Sequence, residues 1–284
     1  MSLSPPLDLN TIIAAARRRA PSTLDTIRTT ATRWLRGVRY HVDYELAAFF
    51  ELPRERLETF AQEVDHRLYC PGVDRKTGLM HIGYIRMRPG NLARRSHPRG
   101  LPAFEELTWG VQLQPSLDAR GHSTILPFTY SAAHLTGSHS IYRSHSREVD
   151  HYPVWECDNL QFKSLGTYGI AISEGSAASS SPICTMYFDE SQLREAHFAP
   201  LPIAARVVRR DPITQRIFDN DFTFLGLVQQ LDPGRVFPDF TFHNHPFFRG
   251  LFTETVTLAP ASILVSRPFT SALQVLSEAR PWQP

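Results

Sequence analysis

The chain has 284 residues, 42% of them hydrophobic and 20% charged, with a net charge of +2. The length suits one large domain or two small ones with a sizeable core, and so small a charge gives no basis for a nucleic-acid partner. Cys70, Cys157 and Cys184 contain no C-x-x-C pair, which excludes a zinc ribbon or dithiol redox motif, and no apolar run approaches the ~18 residues of a membrane span.

An odd cysteine count without an apolar signal segment points to a reducing, cytoplasmic location. Residues 8–20 carry a helical stripe, Leu9, Ile12, Ile13 and Ala16, ended by Pro21. A second helix is expected from Ser22, capped with Asp25, and its stripe is Leu24, Ile27, Ala31 and Leu35. Residues 1–40 hold seven Arg and two Asp, so an organelle transit peptide is the alternative to a helical extension over 1–39.

From Tyr40 the pattern turns to period two, with Tyr40, Val42, Tyr44 and Leu46 on one face. A helix is expected next, with Pro53 at its first position and Leu57, Phe60 and Val64 inward. Strands are predicted over 79–88 and 106–114. In the second, Leu107, Trp109, Val111 and Leu113 share one face, and Glu106, Thr108, Gln112 and Gln114 the other. Further strands are predicted at 123–130, 160–163, 167–173, 183–188, 204–209, 222–229 and 252–258, with an exposed Gly/Ser/Ala loop at 175–182. A last helix is expected after Pro268, burying Leu273 and Leu276. Many strands with few intervening helices argue for a β-rich α+β domain over 40–284, built as an antiparallel sheet or closed barrel.

Residues 147–153 read Arg-Glu-Val-Asp-His-Tyr-Pro. This segment resembles one in the acetoacetate decarboxylase-like superfamily. So does the order helix, long strand, Phe104-Glu105-Glu106-Leu107 and hairpin before it, and so does the Arg/Pro-rich stretch Arg86 to Pro102. The resemblance spans roughly residues 40–260. It implies a cone-like antiparallel β-barrel around a small carbonyl-bearing ligand, in a chain that forms homo-oligomers. In the decarboxylases the Tyr-Pro pair leads into two lysines. One of them, its pKa lowered by desolvation and a neighbouring cation, forms a Schiff base with a β-keto acid. Here those positions are Val154 and Trp155, and neither forms an imine. Only two of the 30 basic residues are lysines, Lys76 and Lys163. Lys163-Ser164-Leu165-Gly166 matches the family's Lys-Lys-Leu-Gly run only with about nine extra residues after Pro153.

The resemblance places an acidic residue in the pocket, and Glu105 or Glu106 would supply it. Strand alternation lets only one of them point inward, and it groups Glu106 with Thr108 and Gln112. His134 and His139 are candidate proton carriers near neutrality. Arg86 is the candidate clamp for an anionic group, with Tyr84 on its strand face. Arg147, Trp109 and Trp155 complete the expected binding set, Trp155 forming a wall where the family has its lysine. His243 and His245 form an H-x-H pair, but no third ligand follows by spacing and no metal is expected. No P-loop, G-x-G-x-x-G or G-x-S-x-G motif occurs, and no cofactor is expected. The expected function is a lyase- or cyclase-type enzyme doing acid/base chemistry on a β-dicarbonyl or polyketide-like molecule without a Schiff base. The alternatives are an imine-forming decarboxylase or aldolase using Lys163, and a non-catalytic binding barrel.

Overall fold

The computed structural model of the protein describes residues 38–93, 98–114, 128–157, 159–165, 169–176, 179–187, 191, 193–195, 203–225, 228–231, 239–266 and 269–278. The first half runs β1 (Val38–Pro53), α1 (Arg54–Gln62), β2 (Thr77–Met87), β3 (Phe104–Val111), β4 (Phe128–Ser131), β5 (His134–Gly137) and α2 (Ser140–Glu148). The second half is strands: β6 (Leu160–Ser164), β7 (Gly169–Ser176), β8 (Ser179–Tyr187), β9 (Leu193–Glu195), β10 (Ile203–Arg210), β11 (Ile217–Leu225), β12 (Val228–Leu231), β13 (Asp239–Phe242), β14 (Val256–Leu258), β15 (Ser262–Ser266) and β16 (Phe269–Glu278). No helix among the described residues is long and apolar enough to cross a membrane.

The described strands form two sheets. The larger runs β4-β10-β11-β16-β1, and β1 passes it on along β2-β3-β5 and along β15-β12-β9. All its ladders are antiparallel except β10 with β4. The smaller sheet has the order β14-β13-β8-β7-β6. The ladders do not by themselves draw the closed cone expected from the resemblance. Where β3 nears β4, the two meet through an isolated bridge, Gln112 to Tyr130, and a Leu113 N–H to Thr129 carbonyl bond of 2.7 Å. Gly110 allows this approach, because a Cβ there would stand 1.7 Å from the Ser131 carbonyl oxygen.

The sheets pack face to face over one apolar core. Leu46, Phe50, Ile82, Leu107 and Trp109 of the larger meet Ile183, Met186, Phe240 and Phe242 of the smaller. Phe50 makes edge contacts with Phe240 and Phe242, at 5.3 and 5.0 Å between centroids. Helix α1 lays Leu57 and Phe60 on the same core, as its spacing predicts, although Pro53 is its cap and not its first residue. The opposite face of the larger sheet carries a second cluster of Tyr40, Val42, Met87, Phe104, Leu135 and Tyr142.

A β-bulge decides which β1 residues reach which face. The register with β2 jumps between Val42 and Tyr44, leaving Asp43 as the extra residue. Tyr40 and Val42 therefore join the second cluster, whereas Tyr44 and Leu46 turn to the intersheet core. This corrects the single alternating face read from Tyr40 to Leu46. The helix expected after Pro268 is instead strand β16, held by ladders to β1 on one edge and β11 on the other. Two-sided backbone pairing overrides a helical spacing of two leucines. Of the loop expected over 175–182, residues 175–176 and 179–182 are instead paired strand residues of β7 and β8, although serines 179–181 are exposed as expected. The helices expected over 8–20 and from Ser22, and most of the 123–130 strand, lie outside the described residues.

Candidate active site

Register across β1, β2 and β3 aligns Glu45, Ile85 and Glu106 in one row. The row lies on the face turned away from the intersheet core. Glu106 is buried and accepts a hydrogen bond from the Tyr142 hydroxyl of α2. Burial raises its carboxyl to about 7; the Tyr142 bond opposes this and the Asp150 charge adds to it. Glu45 keeps some exposed surface, yet desolvation raises it to about 7 as well, with the Glu106 charge contributing. Among the described residues no side chain hydrogen-bonds the Glu45 carboxyl.

Beside this row β10 and β11 place a buried cation. Arg209 is fully buried; it donates through Nε to the Asp150 carbonyl and through Nη2 to Asn220 Oδ1. Its guanidinium lies 4.2 Å from the centre of the Tyr152 ring. Among the described residues, Arg209 Nη1 and Asn220 Nδ2 are buried donors without a partner. Leaving such donors dry costs about 1–3 kcal/mol each, so an oxygen-bearing ligand or water is their natural complement. Tyr130 links the two halves: its hydroxyl feels the charges of Glu45, Glu106 and Arg209. His81 presents its ring 4.4 Å from Tyr130, and neither of its buried nitrogens has a partner among the described residues. Burial pushes the His81 ring down to about 3, so it is neutral at physiological pH.

The 147–153 segment closes the other side of this interior. Arg147 and Glu148 end α2, and the chain then turns through His151 at φ 58°. Asp150 is buried, and its side chain takes the Tyr40 hydrogen bond. His151 stacks on Phe218 at 4.0 Å and meets Asp211 at 2.9 Å. Val154 bridges Leu135 and packs with the second cluster, on the Glu106 side. Trp155 therefore turns the other way. Its indole donates to Glu174 at 2.9 Å and its ring meets His134 and His245.

No protein-family model matches the sequence, and no curated protein matches it. Solved structures do. Acetoacetate decarboxylase from Legionella pneumophila aligns with a TM-score of 0.50 at 11% identity, over 85% of this chain and 88% of that one. A second acetoacetate decarboxylase structure gives 0.51 at 10% identity, over 90% and 99% of the two chains. The chain has the acetoacetate decarboxylase-like fold. The enduracididine biosynthesis enzyme MppR also aligns, with a TM-score of 0.46 at 11% identity over 86% and 89%.

Within the acetoacetate decarboxylase-like fold, the residues singled out from sequence separate by face. Glu106 faces the polar interior, as alternation predicts. Glu105 points to the other side, where it accepts a 2.9 Å bond from Tyr84. Arg86 is no interior clamp: it pairs with Asp43 at 2.7 Å on the surface. Trp109 is a core residue, its indole bonded to the Phe247 carbonyl at 2.7 Å between Phe60 and Phe248. Trp155 is not on the Glu106 side of the sheet; Val154 packs with the second cluster there. His134 is bonded to the Phe247 carbonyl and pushed by burial down to about 4, and His139 caps α2. Arg147 pairs with Glu156 and Glu148 at the surface. Lys163 is exposed on β6 of the smaller sheet, and Lys76 is exposed beside Asp74. His245 caps the short 3₁₀ turn Pro246–Phe248 and faces Glu174 at 3.4 Å, while His243 bonds Thr255. Among the described residues no three His, Cys, Asp or Glu side chains converge as metal ligands.

Glu45, His81, Tyr130, Arg209 and Asn220 were not singled out from sequence. Glu45 had a readable signal, a carboxylate between Tyr44 and Leu46 in a strand. Only the bulge shows that its face is the one Tyr40 and Val42 cover. Arg209 and Asn220 carry no local signal, because their burial comes from pairing between strands distant in sequence from β1.

Proposed function

We propose that the chain is an enzyme of acetoacetate decarboxylase-like type that moves protons on a small carbonyl compound without forming an imine. The observation that carries this reading is that Glu106, a carboxyl raised to about 7, and Arg209, with an unpartnered donor beside that of Asn220, both act on the buried Tyr130 and Tyr152 between them. A carboxyl that titrates near neutrality serves as acid or base with little driving-force penalty. Arg209 and Asn220 would hold a carboxylate or carbonyl oxygen, and Tyr130 would orient it. A β-dicarbonyl fits because its acidic C–H lies next to such oxygens; dehydration and cyclisation begin from the resulting enolate, and decarboxylation releases carbon dioxide to leave an enolate that then takes a proton. The closed cone of the family is favoured by the Gln112–Tyr130 bridge, which would join the two ends of the sheet around this interior.

The imine alternative has no interior lysine to use, since Lys163 and Lys76 are both exposed. The test is to follow acetoacetate by NMR with wild type, Glu106→Gln and Arg209→Met, and to repeat it with borohydride. The expected result is turnover that falls at least about 10²-fold in Glu106→Gln, with no reduced adduct on the protein. A borohydride adduct on Lys163 would refute the proposal. So would wild-type turnover retained in Glu106→Gln.

A further inference from the structure

We infer that Glu45 is a second proton-transfer residue, which works with Glu106 across Ile85 to catalyse a 1,3-proton shift in the ligand. The inference rests on the interior being the ligand site. Its geometric basis is the register that puts Glu45, Ile85 and Glu106 side by side on three adjacent strands. Strands lie about 4.8 Å apart, so the two carboxyl-bearing positions are separated by roughly 9.6 Å. A hydrogen bond of about 2.7 Å at each end leaves roughly 4 Å between them. That gap is long enough to admit an H–C–C=O unit between the two carboxyls. Ile85, the residue between them, offers an apolar floor and no competing hydrogen bond.

The two carboxyls are not equivalent, and the difference assigns their roles. Glu106 receives the Tyr142 hydrogen bond, which favours its ionised form. Glu45 has no such donor and feels the Glu106 charge, which favours its protonated form. The other titratable groups facing the pair are Asp150, Tyr40 and Tyr152, near Glu106, and Tyr130, near both. Ionised Glu106 takes the proton from the carbon beside the carbonyl, while Glu45 gives its proton to the carbonyl oxygen. A C–H bond and the Glu45 O–H bond break; a Glu106 O–H and an enol O–H form. Reversal of both transfers, with the proton returning from Glu106 to the same carbon and the enol proton to Glu45, restores the keto form and both groups; exchange of the Glu106 proton with solvent in between labels the carbon. No oxidant, reductant or co-reactant enters the balance.

The test uses the full chain with pyruvate, a small keto acid whose methyl protons lie beside a carbonyl. Methyl exchange in D₂O is followed by NMR, and the carboxylic-acid C=O band is followed by infrared titration. The expected result is accelerated exchange in wild type, reduced at least about tenfold in both Glu45→Gln and Glu106→Gln. The protonated-carboxyl band near pH 7 should lose the Glu45 contribution in Glu45→Gln, and the band that remains in Glu106→Gln should titrate at lower pH. If Glu45→Gln exchanges like wild type while Glu106→Gln does not, the role of Glu45 is overturned and the interior site stands. If Glu45 is fully ionised near pH 7 and indifferent to Glu106→Gln, the pairing is overturned. Absence of exchange in wild type overturns both readings together.

Discussion

Replacing Glu106 by glutamine tests whether the interior holds a carboxyl under strain from desolvation. In the unfolded chain this group titrates near 4.5; in the folded protein it holds its proton until about 7. Below pH 4.5 both states are protonated and nothing is lost. Between 4.5 and 7 the folded state keeps a proton that the unfolded state has released, so stability falls as pH rises. The loss is complete above 7 and amounts to roughly 3 kcal/mol, at about 1.4 kcal/mol per decade. Glutamine does not titrate. Its carbonyl still accepts from Tyr142, but its amide hydrogens lack the partners a carboxyl does not need, at about 1–3 kcal/mol. Glu106→Gln should therefore be equal to or less stable than wild type near pH 4 and more stable by roughly 1–2 kcal/mol near pH 8. Urea unfolding across that range, followed by Trp fluorescence, checks it. A variant-minus-wild-type difference that stays constant with pH would show that Glu106 titrates normally, and the reasoning would be refuted.

His81→Gln should make the fold more acid-resistant. The buried ring resists protonation until about 3, so wild type loses stability as pH falls from about 6.5, by up to roughly 5 kcal/mol near pH 3; an unchanged acid midpoint would argue against it. Val154→Lys should put an amine among apolar residues on the Glu106 side. Borohydride with pyruvate should then trap an adduct at that position, detectable by mass spectrometry, and a label only on Lys163 would place the pocket elsewhere. Arg86→Ala should change stability by no more than about 1 kcal/mol and leave turnover intact, since the Arg86–Asp43 pair is exposed; a large loss of affinity would restore it as a clamp. Gly110→Ala should abolish soluble expression, because the added methyl meets the Ser131 backbone at 1.7 Å; a well-folded variant would contradict the close approach of β3 to β4.

The residues that repeat every second position were legible from sequence. Leu107, Trp109 and Val111 face the core and Glu106 faces away, because a regular strand transmits its alternation without help. The helix α1 was legible for the same reason. What escaped was everything fixed by pairing at a distance. Helix α2 contains Ser140, Arg143, Ser146 and Arg147, too polar to show a stripe, and it is held by the His139 cap and by Tyr142 packing in the second cluster. The Tyr-Pro segment was legible as a motif but not as a direction. Only the bridge from Val154 to Leu135 decides that Val154, and not Trp155, shares the interior with Glu106.

The extra residue at Asp43 acts as a frameshift written in the pleat. Every side chain of β1 after it is read in the opposite sense, so one inserted backbone unit exchanges Glu45 with Leu46 between a polar chamber and a dry core. Deleting Asp43 would heal the bulge and keep the Tyr44–Arg86 and Glu45–Ile85 pairs, so chamber and core residues stay in place while each moves one position earlier in the chain. Related chains that lack the insertion would then carry the same acid one position earlier. A comparison made column by column, without a gap at Asp43, would set chamber residues against core residues and hide whatever the two share.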